Sequence, residues 1–243
     1  MMDLLNNFFF IALPYIAIIV FVIGTVYRYR SLKFGYSSLS SQFLETRKLF
    51  WGSLLFHWGI VIIFFGHLIA FLIPQSILLW NQQPLRLFIL EISAFTFGIM
   101  AFIGLINLLY RRLSSARIRV VTNYMDIILE ILLLIQIFLG LWVAYGYRWG
   151  SSWFAIVISP YLKSLFTFTP KVDAVFMLPL VVQLHIITGF LIILIVPFTR
   201  LVHFLVFPLS YLWRPYQKVI WNRDRKKIRN AKEAWTVHRP ENN

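Results

Sequence analysis

The chain has 243 residues, of which 60% are apolar and 13% charged, a balance outside that of ordinary soluble domains and inside that of polytopic membrane proteins. With no cysteine it excludes a disulfide, a thiolate metal site, an iron–sulfur cluster and covalent c-type haem attachment, so any cofactor must be held by His, Met or oxygen ligands. The net charge of +14 would suggest nucleic acid in a soluble chain, but its meaning here depends on where the basic residues fall relative to a membrane.

Asp3 and no basic segment precede the first apolar stretch, which therefore does not read as a cleaved secretory signal and is expected to stay in the mature protein. Runs long enough to cross ~30 Å of hydrocarbon recur five times, at residues 8–27, 49–73, 87–110, 127–147 and 177–207. Each is predicted to be a helix, because lipid offers no water to backbone polar groups and unbroken apolar runs do not suit the alternating strands of a barrel. The longest connection, residues 148–176, carries Trp149, Trp153 and Phe154, which suit a membrane interface. The predicted fold is an all-α bundle of five transmembrane helices over residues 1–220, followed by a basic tail at 221–243.

The basic residues set the orientation. Eighteen Lys or Arg fall in the first loop (Arg28 to Lys48), the third loop (Arg111 to Arg119) and the tail, against four (Arg86, Arg148, Lys163, Lys171) in the other two loops. The positive-inside rule predicts an outer amino terminus and a cytoplasmic carboxyl terminus. The run from Arg223 to Arg229 then suits anionic lipid or an acidic partner, and no nucleic-acid partner is expected.

Four of the five histidines lie inside apolar spans: His57 and His67 in the second, His185 and His203 in the fifth; His238 is in the tail. Ionisable residues within a bilayer point to function, and neutral imidazole is a common axial ligand to iron. Two pairs on two helices suggest two haems, against the alternative that each His bonds a neighbouring helix. Spans two and five run antiparallel, which pairs His57 with His203 on the inner side and His67 with His185 on the outer side. Gly59, Gly66 and Gly189, each within one turn of a histidine, either admit a flat macrocycle or serve close helix packing. Arg200 either pairs a haem propionate or snorkels to the interface. Ten residues separate His57 from His67, about 15 Å of rise, whereas eighteen separate His185 from His203, about 27 Å. On a continuous helix the latter two share a face, with Pro197 between them as a source of bending.

The stretches YIAIIVFVIGTVYRYR, SLLFHWGIVIIFFGHL, YRRLSSARIRVVT and QLHIITGFLIILIVPFTRLVHF strongly resemble the gamma, or cytochrome b, subunit of membrane-bound respiratory nitrate reductases, over nearly the whole chain. The resemblance implies five helices in the cytoplasmic membrane and two haems b, with His57, His67, His185 and His203 as axial ligands to iron. It implies a quinol, menaquinol or ubiquinol, as electron donor. Its implied partners are a cytoplasmic iron–sulfur subunit and a molybdenum catalytic subunit that holds the nitrate site. Electrons would enter near the outer haem and leave from the inner one, with quinol protons released outside. The family also has a basic residue of the second loop near the quinol oxygen. Arg86 is the basic residue of that loop here, although an ungapped alignment puts Leu87 at the family's position; Arg86 equally suits an interfacial anchor for span three.

The charged stretch from Trp221 to Asn243 is longer than the family pattern, which leaves the soluble partner and the direction of electron flow open. Alternatives are the same haem-bearing role in a nitrite oxidoreductase or a sulfur- or heterodisulfide-linked complex. Further from it are a transporter, which calls for inverted repeats and mid-membrane charge pairs, and a structural anchor. Glu91 and Glu130 lie nearer the span ends than a transporter's charges would, and no repeat is visible.

Overall fold

A computed structural model describes residues 2–31 and 47–205, and among them every regular element is helical. The tail with His238, and the end of the predicted fifth span, lie outside the described residues. Helix α1 (Met2–Asn7), one turn widened to π geometry (Phe8–Ala12) and α2 (Leu13–Ser31) make the first span. The second is α3 (Arg47–Leu72), followed by the short α4 (Pro74–Asn81). The third is α5 (Pro84–Ser114), then α6 (Ala116–Val120), and the fourth is α7 (Tyr124–Gly146). The predicted connection of residues 148–176 is itself largely helical, as α8 (Gly150–Trp153), a π turn (Phe154–Ile158), α9 (Ser159–Phe166) and α10 (Asp173–Phe176). Helix α11 (Leu180–Ile195) opens the fifth span and gives way to 3-10 turns at Val196–Phe198 and Arg200–Leu205.

Five of these helical stretches are long and apolar enough to cross a membrane, so the chain is a multi-pass membrane protein of five helices. Local chemistry sets their ends. Pro74 and Pro84 open α4 and α5, where a missing N–H is harmless. Asn123 and Asp126 form a reciprocal capping box that starts α7, with bonds of 2.8 and 3.1 Å. Large apolar side chains such as Trp51, Trp58, Phe64 and Phe65 of α3 face outward, as lipid as solvent requires.

Small residues let α3 and α5 touch backbone to backbone. A Cβ at Gly59 would lie 2.5 Å from the Phe97 carbonyl oxygen, and one at Gly104 would overlap the Phe56 nitrogen. Helix α7 packs on both α5 and α11, and α11 also packs on α2. The two histidine-bearing helices, α3 and α11, have no substantial contact with each other.

The fifth span corrects the sequence reading in one respect. His185 and His203 do not share the face of one continuous helix, because α11 ends at Ile195 and Thr199 is extended, with φ −117° and ψ 174°. Pro197 is the cause: it has no N–H for the carbonyl four residues earlier, and its ring clashes there. Two carbonyls of the break are bonded by Arg28 of α2, whose Nη1 donates to Pro197 O and Thr199 O at 2.7 Å each. Gly24, one turn earlier on α2, lets that helix approach, since a Cβ there would lie 2.8 Å from Pro197 Cβ.

Candidate functional site

Two of the four histidines meet across the bundle. His57 of α3 faces His203 of the second 3-10 turn, with ring centroids 6.3 Å apart and planes at 65°. That separation fits a metal ion between the rings: two metal–nitrogen bonds of roughly 2.0–2.1 Å, plus about 1.1 Å from each nitrogen to its ring centre, sum to about 6.3 Å. His67 and His185 lie within electrostatic reach of each other, and the Phe154 ring stands edge-on to His67 at 5.4 Å.

Protonation follows from the hydrogen bonds. His57 Nδ1 lies 2.8 Å from Ser53 O, His67 Nδ1 2.9 Å from Ile63 O, and His203 Nδ1 2.7 Å from Arg200 O. A carbonyl only accepts, so each Nδ1 carries a hydrogen, and in the neutral imidazole Nε2 is then the nitrogen with the lone pair. This is the arrangement of a metal-ligating imidazole, oriented by its other nitrogen. His185 differs: its Nε2 lies 3.4 Å from Gln136 Nε2, and its Nδ1 is buried with no hydrogen-bond partner.

Among the described residues no group of three or more His or acidic side chains is placed to hold a metal. Histidine pairs of this kind instead suit an ion whose remaining ligands come from a macrocycle. Of the three glycines singled out in the sequence, Gly59 serves helix packing, whereas Gly66, next to His67, has no atom within 4 Å of where a Cβ would be. Gly189 adjoins Gln136, its Cβ position 3.6 Å from the amide nitrogen.

The His57–His203 pair is braced by charges. Arg200 Nε pairs with Asp126 Oδ1 at 2.9 Å and its Nη2 donates to Val121 O at 2.7 Å, while Arg112 reaches Glu130 at 2.8 Å and Asp126 at 3.4 Å. Arg200 thus anchors its own backbone carbonyl, on which His203 rests. At the opposite end Arg86 is exposed, with its guanidinium 5.3 Å from the Trp80 ring centre. Glu91 accepts from the Ser151 amide and hydroxyl at 2.9 and 2.7 Å, so it fixes the start of α8. The roles of Arg28, Asp126, Gln136 and Thr188 were not singled out in the sequence. Gln136 alone carried a signal there, an amide inside an apolar run.

A family profile described as nitrate reductase gamma subunit matches residues 6–222. The chain belongs to the nitrate reductase gamma subunit family. It is 33% identical to the nitrate reductase gamma chain of Bacillus subtilis over 84% of this chain and 93% of that one. It is 36% identical to the respiratory nitrate reductase 2 gamma chain of Escherichia coli over 90% and 98%. It is also 32% identical to the nitrate reductase-like protein NarX of Mycobacterium tuberculosis over 88% of this chain but 34% of that longer protein. The gamma-subunit match takes in residues of all five candidate membrane helices, together with His57, His67, His185 and His203.

Proposed function

We propose that this gamma subunit oxidises a membrane quinol and delivers the electrons to the iron–sulfur and molybdenum subunits of a respiratory nitrate reductase in the cytoplasmic membrane. The reading assigns it two haems b: an inner one ligated by His57 and His203, and an outer one by His67 and His185. The observation that carries it is the inner pair, 6.3 Å between ring centroids with both Nδ1 hydrogens bonded to carbonyls. Haem held by His57 with His203 and by His67 with His185 would supply one-electron transfer rather than oxygen binding.

The chain's own residues supply the rest. Carbonyls four residues earlier orient His57 and His67, Arg200 and Arg28 hold the segment bearing His203, and the apolar spans exclude water. On the outer side quinol would become quinone with loss of two electrons and two protons, the protons leaving outside. Arg86 is a candidate contact for the quinol oxygen, beside its place on Trp80, and Arg200 for a haem propionate, beside its pair with Asp126. Quinol oxidation unchanged in Arg86→Ala would remove the first. We assign residues 1–220 to the membrane domain, with the amino terminus outside, and residues 221–243 to a cytoplasmic tail that meets lipid or the soluble subunits.

The test is an optical spectrum of the purified complex, reduced with dithionite and then with quinol, with His57→Ala and His67→Ala beside the parent. The reading expects b-type bands that quinol reduces, and about half the haem in each variant, as one lost axial ligand per haem predicts. A folded complex without haem sinks it.

A further inference from the structure

The segment that bears His203 is not carried by the helix before it. Helix α11 ends at Ile195, Thr199 is extended, and His203 lies on a separate 3-10 stretch, Arg200–Leu205. A 3-10 stretch of that length has poorer hydrogen-bond geometry than an α-helix, so its placement depends on what holds it from outside. Its first residue supplies the carbonyl that lies 2.7 Å from His203 Nδ1, and the side chain of that same residue, Arg200, reaches the start of α7. We propose that Asp126 is the positioning residue of His203: it holds Arg200, and through it the carbonyl on which the imidazole rests, and so sets the reduction potential of the haem assigned to His57 and His203. This rests on the haem reading above and adds a residue and a property to it.

Asp126 has a fixed place from which to act. It is buried, and it completes the capping box of α7: its backbone N–H donates to Asn123 Oδ1 at 2.8 Å, and its Oδ2 accepts from the Asn123 N–H at 3.1 Å. The same oxygen lies 3.4 Å from Arg112 Nη1, while Oδ1 lies 2.9 Å from Arg200 Nε. Arg200 has a second hold, because its Nη2 donates at 2.7 Å to the carbonyl of Val121, at the close of α6. A planar guanidinium held at two points is fixed in direction as well as position. The hold therefore runs from the cap of α7 through the Arg200 guanidinium to the Arg200 carbonyl and the His203 ring.

The charge of Asp126 has its own effect. Arg112 and Arg200 face Asp126 and Glu130, two cations against two carboxylates, with every side chain less than 20% exposed. Charges placed so close and so dry interact strongly, and removing one leaves its partners uncompensated. Without Asp126 the cluster carries one extra positive charge beside the His203 segment, which favours ferrous over ferric iron. The loosened carbonyl acts in the same direction, because an imidazole whose N–H is less well accepted is a less basic ligand. Both effects raise the potential.

The experiment uses the purified full complex and two readouts, an optical redox titration and hydrogen exchange of residues 199–205 followed by mass spectrometry. His57→Ala identifies the potential that belongs to the His57–His203 haem. Asp126→Ala should raise that potential, leave any other haem unmoved and speed exchange in 199–205, since a segment held less tightly opens more often. Asn123→Ala removes a cap bond from α7 but keeps the carboxylate, and should match the parent in both readouts. In an Arg200→Gln background Asp126→Ala should speed exchange no further, because the link is already cut. Loss of the His57–His203 haem in Asp126→Ala, with retention in Asn123→Ala, supports the same assignment. An unshifted potential or unchanged exchange in Asp126→Ala, the same changes in Asn123→Ala, or an undiminished effect of Asp126→Ala in the Arg200→Gln background overturns it. A complex in which His57→Ala removes no haem overturns the haem reading instead, and the exchange readout, which needs no haem, still decides whether Asp126 holds the segment.

Discussion

Two glycines on α3 distinguish a packing role from a cofactor role. Gly59 faces the α5 backbone, 2.5 Å from Phe97 O at its Cβ position, whereas Gly66 has open space. Gly59→Leu therefore has to push two helices apart, an overpacking penalty of about 1–3 kcal/mol or more, and should lower the yield of folded protein. Gly66→Leu meets no protein atom, so the protein should accumulate normally but, on the proposed reading, bind less of the haem assigned to His67. The ratio of haem to purified protein checks both. Tyr161 tests a third kind of role. It is fully buried, and its hydroxyl donates to Phe10 O at 2.8 Å, the carbonyl four residues before Pro14, which has no N–H to bond it. Tyr161→Phe should destabilise the protein by about 1–3 kcal/mol, read as a lower thermal midpoint in detergent. Burial, with Tyr15 nearby, raises the Tyr161 pKa, so its contribution is complete below the free value of about 10 and is lost only as pH rises beyond that. At this scale the histidines were legible because an imidazole in an apolar run is costly to keep in a bilayer unless it binds something. Tyr161 and Phe10, 151 positions apart in sequence, gave no such signal.

The fifth span is where the sequence and the structure part. Its hydropathy runs unbroken through Pro197, so the length of the span was legible while the end of α11 at Ile195 was not. The unequal histidine spacing was the clue: about 27 Å of rise on α11 had to meet about 15 Å on α3. A proline stops the helix, and an arginine from α2 takes up two carbonyls of the break at 2.7 Å, in the segment whose His203 faces His57. Arg28 reads in sequence as one more basic loop residue, because its partners are about 170 positions away. Pro197→Ala restores an N–H and permits α11 to continue, which carries His203 away from His57. The expected outcome is loss of the inner haem, about half the total, with the outer haem kept; Arg28→Met should weaken the same haem less severely. Difference spectra against His57→Ala, which lacks the same haem, check the assignment. Equal loss of both haems would show instead that the break holds up the whole bundle.

Across the whole molecule, contacts among spans one, three, four and five gather the basic side chains at one end. Arg28 meets the close of the fifth span, Arg200 meets Asp126 at the start of α7, and Arg112 at the end of α5 meets Asp126 and Glu130. The His57–His203 pair lies on this side, while His67 and His185 lie toward the end where Arg86, Glu91 and α8 gather. The orientation proposed above puts the basic end in the cytoplasm, and on that reading it sets the order in which electrons are expected to use the two pairs. That order separates the two single-haem variants. In His57→Ala the outer pair is intact, so quinol should still reduce the remaining b-type absorbance, but added nitrate should not reoxidise it. In His67→Ala the haem that the proposal puts next to quinol is lost, so quinol should reduce the remaining haem at least tenfold more slowly than in the parent, a slowing that corresponds to about 1.4 kcal/mol in the barrier. Dithionite, which needs no quinol site, should reduce both variants fully. Rapid-mixing spectra of the two complexes decide it. If quinol reduces the haem of His67→Ala as fast as the parent's and fails with His57→Ala, the basic end is the quinol side and the orientation proposed for the chain is inverted.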